Sequence, residues 1–168
     1  MEISYEVSIL FCDVCTRVVD VNSWHVPASI LKDEPHVNST GTGRHQLGPP
    51  YDVISCLNLL DRCDRPITLL RQIHSSLTPE TGILLLAIVL PLNQYVETAP
   101  DRHPSETLDI SGSKIWEVQL NSLVINVLQP AGFELIRFTR LPYLCEGDFS
   151  RAFYSLNDVI LVLRPVHV

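Results

Sequence analysis

From residue 51 onward the sequence alternates strand-like and helix-like segments, and this order constrains the fold more than any other feature. Strands are predicted over residues 51–56, 82–90, 133–141 and 158–164, and helices from Pro66 and over residues 114–129. Strands separated by a helix run parallel, so the pattern predicts an α/β fold with helices on both faces of a sheet. No helix separates the last two strands. We therefore expect them to pair antiparallel, joined by residues 142–157.

The first fifty residues are less regular. Residues 2–9 alternate apolar and polar side chains, which predicts a strand with one buried face, and residues 17–21 could form a second short strand. Residues 28–50 contain three prolines and three glycines among polar residues, which favours a long loop. We divide the chain into a divergent amino-terminal segment, residues 1–50, and a regular part, residues 51–168.

The charge balance argues against nucleic acid as a partner. The chain has 12 lysine and arginine residues against 19 acidic ones, a net charge of −7, with no basic stripe to neutralise phosphates. No apolar run approaches the ~20 residues that span a bilayer, and the Met-Glu start lacks a signal peptide's basic region. Of the five cysteines, only Cys12 and Cys15 form a Cys-x-x-Cys pair. Without a second pair, reduced thiols are expected rather than a metal site.

Two polar stretches follow predicted strands, where open α/β sheets bind ligands. In the first, Asn58 and Asp61 are three residues apart and could project from one side of a turn to hold a polar substrate. The alternative is that Asp61 or Asp64 caps the helix at Pro66. In the second, Tyr143 and Tyr154 lie in the connection between the last strands, and could cover a cofactor or bind a substrate. Here the alternative is that their rings pack on the core.

These stretches also carry a family resemblance. Residues 51–64 (Tyr-Asp-Val-Ile-Ser-Cys-Leu-Asn-Leu-Leu-Asp-Arg-Cys-Asp) and 140–148 (Arg-Leu-Pro-Tyr-Leu-Cys-Glu-Gly-Asp) resemble the methyltransferase-like protein nine, or DREV, family. Residues 116–122 and 131–133 match it in the same order. The likeness runs from about residue 51 to residue 166.

The resemblance implies a class I methyltransferase with a Rossmann-like sheet whose last strand is antiparallel. Family members are similar to protein-histidine methyltransferases that use S-adenosylmethionine and modify the pros nitrogen of histidine in His-x-His motifs. Carried over, Asn58 would lie between the cofactor's methyl end and the substrate ring, and Asp61 would accept a hydrogen bond from the target imidazole. Tyr143 would contact the cofactor, and Tyr154 the substrate histidine. The family is associated with the endoplasmic reticulum and mitochondria; the compartment of this chain is unknown.

One expected feature of that family is missing. A class I methyltransferase has a glycine-rich turn after its first strand, where the backbone approaches the cofactor. The run from Gly41 to Gly48 has no strand before it and leads into Pro49-Pro50, so it does not fit that role. We therefore expect an incomplete sheet that lacks the amino-terminal cofactor-binding half, with impaired cofactor binding. The alternatives are a catalytically inactive binding module that retains the substrate surface, or a translation product without function.

Overall fold

The computed structural model describes residues 49–96, 101–147 and 149–166. It contains strands β1 (Val53–Leu57), β2 (Ile83–Val89), β3 (Phe133–Glu146) and β4 (Phe153–Pro165), and helices α1 (Pro66–Ser76) and α2 (Trp116–Ser122), which continues as a π-helical segment (Leu123–Leu128). The strands predicted at residues 2–9 and 17–21, the long loop up to residue 48, and Cys12 and Cys15 lie outside the described residues. No described helix is long and apolar enough to cross a membrane.

The strand order in the sheet is β1-β2-β4-β3. β1 and β2 are parallel, whereas β4 is antiparallel to both of its neighbours, β2 and β3. The last strand of the chain is thus inserted in reverse between two strands that point the same way. The prediction of an α/β sheet with an antiparallel last strand is confirmed.

The predicted connection at residues 142–157 is wrong, because most of it is strand. β3 and β4 form a long hairpin in which Pro142 lies opposite Asn157, and Tyr143 and Tyr154 lie within the strands. In the sequence, Pro142 indicates the end of a strand. In the described sheet, however, β3 is an edge strand, where a residue without an amide hydrogen is tolerated.

The expectation of helices on both faces is also wrong for the described residues, since both helices pack on the same face. His74 of α1 contacts Phe133 edge to face, and Arg140 stacks over Trp116 of α2. Phe133 and Arg140 pair with positions 165 and 159 of β4, which are an even number of residues apart and so share a face. That face carries the fully buried core, which includes Leu161. Several apolar side chains of the opposite face are only half-buried; they include Ile83, Leu85, Ile160 and Val162.

Candidate active site

Asn58 lies at the point where the chain leaves β1. Its backbone has a positive φ of 51°, a conformation that asparagine tolerates better than most residues. Its N–H donates to the carbonyl oxygen of Ala87 on β2 at 3.0 Å. Its side-chain Nδ2 donates to Oδ2 of Asp158 on β4 at 2.7 Å. The turn after β1 therefore directs the amide across the end of β2, at the carboxyl edge of the parallel strands.

Asp61 is buried three residues later, with only 1% of its surface exposed. Its Oδ2 lies 3.2 Å from Nη1 of Arg62, while Oδ1 has no hydrogen-bond partner among the described residues. Burial raises the pKa of the Asp61 carboxyl; the Arg62 guanidinium opposes this shift, and the negative charge of Asp158 adds to it. Asp61 is thus a desolvated carboxyl that keeps its proton to higher pH than a surface aspartate does.

Arg62 holds the loop after β2 against this turn. Its guanidinium lies 4.0 Å from the centroid of the Tyr95 ring, and its Nη1 donates to the carbonyl oxygen of Asn93 at 2.7 Å. The backbone N–H of Tyr95 donates to the carbonyl oxygen of Asp61 at 3.1 Å. These contacts fix the Asp61 carboxylate between two chain segments.

The prediction that Asp61 or Asp64 caps α1 is wrong. The N-cap position is Arg65, whose side chain makes no capping hydrogen bond. Instead, Glu106 accepts the backbone N–H of Thr68 at 2.8 Å and its hydroxyl at 2.6 Å. Asp64 accepts hydrogen bonds from the N–H and hydroxyl of the residue before Glu106, each at 2.8 Å. Asp64 therefore ties the 101–110 segment to the start of the helix, and Asp61 remains available for another role.

Three buried acceptor atoms meet at this edge of the sheet. Oδ1 of Asn58, Oδ1 of Asp61 and Oδ1 of Asp158 have no hydrogen-bond partner among the described residues. Buried polar atoms are normally paired because an unsatisfied one costs about 1–3 kcal/mol. We call Asn58, Asp61 and Asp158 the acceptor cluster. Its free oxygens all require a donor, so its chemistry suits a ligand that carries N–H groups or positive charge.

Two members of the acceptor cluster, Asn58 and Asp61, are predicted from the sequence, and the third is not. Asp158 begins an apolar run, Asp-Val-Ile-Leu-Val-Leu, which predicts a strand and no site residue. It is 3% exposed and pairs with Val89 of β2 and Leu141 of β3. A carboxylate at the first position of an otherwise apolar strand was the available signal.

The two tyrosines share a sheet face with Asp158 but are farther along the hairpin. Tyr143 lies opposite Leu156, and Tyr154 is two residues further from Asp158 on β4. At ~3.4 Å per residue, the two positions are about 7 and 14 Å from Asp158 along the strand. The Tyr143 side chain is exposed, and the Arg151 guanidinium lies 5.6 Å from the Tyr154 ring centroid. The structure thus places both tyrosines on the sheet face of Asp158, while the Asn58 side chain is hydrogen-bonded to Asp158 directly.

The thiols near the site are poor nucleophiles. Burial, with smaller effects from neighbouring groups that include Asp61, raises the pKa of Cys56 to about 12. Burial likewise raises the pKa of Cys63 to about 11, so the thiols of Cys56 and Cys63 are both protonated at neutral pH. Within the described ranges, no three histidine, cysteine or acidic side chains are grouped in a way that could hold a metal ion. The site's available chemistry is therefore that of oxygen acceptors.

This chain is similar to a known protein family and to solved structures. A family model described as DREV methyltransferase matches residues 23–165, which begins well before the likeness expected from residue 51. A structure titled "Conversion of a Disulfide Bond into a Thioacetal Group during Echinomycin Biosynthesis" is 10% identical and has a TM-score of 0.46. The match covers 70% of this chain and 50% of that structure's chain. A second structure, titled "Crystal Structure of the N-terminal domain of EvdMO1 with SAH bound", is 16% identical and has a TM-score of 0.33. The match covers 70% of this chain and 47% of that structure's chain. The chain spans about half the length of these two structures.

Proposed function

We propose that this chain, which belongs to the DREV methyltransferase family, acts in S-adenosylmethionine-dependent methylation of histidine at the pros nitrogen within His-x-His motifs. The observation that carries the proposal is the buried carboxyl of Asp61, whose Oδ1 has no partner among the described residues. This acceptor lies at the sheet edge where α/β enzymes bind their substrates.

The nucleophile in this reaction is a neutral imidazole, because a protonated ring has no free lone pair. For attack by the pros nitrogen, Nδ1, the ring's single hydrogen must be on Nε2. An Asp61 carboxylate that accepts this Nε2–H selects the tautomer and orients the ring. As the ring becomes cationic during transfer, the same carboxylate stabilises the positive charge and can accept the proton that leaves Nε2.

The residues present fit the methyl-bearing end of the cofactor. S-adenosylmethionine, when bound, supplies a methyl group on a cationic sulfur. The free Oδ1 of Asn58 and the negative charges of the acceptor cluster favour a cation and N–H donors at this edge. We assign Asn58 to the boundary between cofactor and substrate, and the exposed Tyr143 to the cofactor. Tyr154, on the same sheet face, is assigned to the substrate histidine.

The pKa of Asp61 is shifted in the direction that the role requires. Its raised pKa makes it a better proton acceptor than a surface aspartate, while Arg62 keeps the ionised form accessible. Arg62 itself is held by Tyr95 and the carbonyl oxygen of Asn93. The carboxylate is thereby positioned before substrate arrives, which reduces the reorganisation needed during transfer.

The test is methyl transfer by the full chain to a peptide with one His-x-His motif, in the presence of S-adenosylmethionine. Mass spectrometry with fragmentation should locate one added methyl on a motif histidine, and NMR of the product should place it on Nδ1. A peptide with both motif histidines replaced by alanine is the substrate control. Asp109→Asn, which makes the same charge change at an exposed position, is the variant control. Peptide binding without methylation at saturating cofactor would contradict the proposal and indicate an inactive binding module.

A further inference from the structure

Asp158 is an unusual residue for its place in the fold. It lies in a central strand between Val89 and Leu141, and is 3% exposed. Burying an ionised carboxylate costs several kcal/mol unless it is paired with a positive charge. Among the described residues, its hydrogen-bond partner is the amide of Asn58, which is neutral. An apolar residue would serve the sheet better, so the carboxylate calls for an explanation beyond packing.

The hydrogen bond between the two side chains determines which way the Asn58 amide faces. An asparagine side chain has an NH₂ donor on one side and a carbonyl acceptor on the other. A carboxylate oxygen can only accept a hydrogen bond, so Nδ2 is the atom that faces Asp158 Oδ2, at 2.7 Å. Oδ1 of Asn58 is then turned away from Asp158 as a buried acceptor that has no partner among the described residues.

We propose, building on the histidine methyltransferase function above, that Asp158 is a positioning residue for the reaction. It holds the Asn58 amide in the orientation that offers Oδ1 to the reacting groups, and its negative charge acts on Asp61. Asp158 acts in this role through its hydrogen bond to the Asn58 amide.

The charges around Asp61 give this role a measurable consequence. Asp61 faces the Arg62 guanidinium, the Asp158 carboxylate and the thiols of Cys56 and Cys63. The thiols are protonated at neutral pH, so Arg62 and Asp158 are the charged neighbours. Asp158 raises the pKa of Asp61 and Arg62 lowers it. Removing the Asp158 charge therefore lowers the pH at which Asp61 ionises, and activity that needs ionised Asp61 persists to lower pH.

The first experiment examines the free protein and does not depend on activity. In NMR spectra of the full chain, the Asn58 side-chain NH₂ should show a downfield proton shifted by its hydrogen bond to a carboxylate. Asp158→Ala should remove that shift, and Asp158→Asn, which retains an acceptor oxygen and the side-chain shape, should keep part of it. In Asp158→Asn the Asp61 carboxyl should titrate at lower pH than in the wild type. Asp109→Asn should leave both signals unchanged.

The second experiment uses the methylation assay. Asp158→Ala should lower kcat about 10–100-fold with little change in KM for the peptide, because substrate contacts remain while Asn58 is misoriented. Asp158→Asn should recover most of kcat and move the acid limb of the pH profile to lower pH. A role limited to stability would lower the amount of folded protein without moving that limb.

The two proposals fail in distinguishable ways. Absence of methylation by the wild type would overturn the proposed function, whereas the NMR signals of the free protein would still test the positioning by Asp158. Unchanged Asn58 amide signals in Asp158→Ala would overturn the inference. So would an Asp61 titration in Asp158→Asn that matches the wild type.

Discussion

Replacing Asp61 with asparagine should make the protein more stable and less active. Asp61 is 1% exposed, and its Oδ1 has no partner among the described residues. Ionising a buried carboxyl with an unpaired oxygen costs about 1–3 kcal/mol of desolvation, which a neutral amide of the same shape avoids. The ion pair with Arg62 returns about 0–1 kcal/mol of this, because the guanidinium is partly exposed to solvent and keeps its contacts with Tyr95 and Asn93 in the variant. The difference predicts a net gain of about 1 kcal/mol at pH 7, or about 2–4 °C in Tm for a chain of this size.

The gain in stability should depend on pH in a defined direction. The pKa of Asp61 is raised in the folded state by burial, so ionisation disfavours folding as pH rises from its unfolded value of ~3.9 through the folded value. Below that window the carboxyl is protonated in both states, and wild type and Asp61→Asn should differ little. Above it the variant should be the more stable protein.

Methylation should fall about 100–1000-fold in the same variant, the loss that follows removal of one preorganised electrostatic contact to a developing charge. Thermal unfolding at pH 3.5, 5 and 7, together with kcat/KM for a His-x-His peptide, measures both effects. Asp109→Asn is the control and should change neither. A variant that is less stable than the wild type at pH 7 and fully active would show that Asp61 is a structural residue, and the reasoning would be refuted.

Three further substitutions test contacts that stabilise the fold or control the pKa of Asp61. Glu106→Gln should destabilise the fold by about 0.5–1 kcal/mol at pH 7, the lower part of the range for a helix cap, because glutamine keeps one acceptor oxygen. The difference should vanish on acidification, since the hydroxyl and N–H of Thr68 lower the pKa of Glu106 in the folded state. Equal stability of the two proteins at pH 7 would contradict the cap. Gly132→Ala should lower the free energy of unfolding, measured by chemical denaturation, by more than about 1–2 kcal/mol. The backbone φ is +86°, and the new Cβ would lie 2.7 Å from Nε2 of His74. An unchanged free energy of unfolding would contradict this geometry. Arg62→Gln should move the acid limb of kcat/KM to higher pH, because Arg62 lowers the pKa of Asp61; an unmoved limb would show that the pair does not control the reaction.

The order of helices and strands could be predicted from the sequence because the apolar residues are regularly spaced and prolines and glycines mark the ends of the elements. Pro66 marked the first residue of α1, and the apolar run at residues 82–90 became β2. The length of the β3–β4 hairpin could not be predicted, since Pro142 and the polar residues near its tip indicate a loop unless the strand is known to lie at an edge. The length of the hairpin is set by the pairing of β4 with β3 and with β2, which is distant in sequence.

The candidate site was predictable only in part for the same reason. Asn58 and Asp61 are close in sequence and follow a recognisable strand, so their shared location could be inferred. Asp158 is 100 residues from its partner Asn58, and only the sheet order brings them together. The cap of α1 likewise comes from Glu106, which is 38 residues from Thr68. Local patterns identify capping and binding residue types, but they do not say which distant segment supplies them.

The most direct test of the central claim is the protonation state of the target imidazole when the peptide is bound. A His-x-His peptide with ¹⁵N-labelled imidazole rings should be titrated with the full chain and followed by NMR at pH 7. Asp61 should bind the target ring in its neutral form, with hydrogen on Nε2 and a free lone pair on Nδ1, and Asp61→Asn should abolish this preference. A bound ring that is an imidazolium, or the same tautomer mixture in both proteins, would contradict the account.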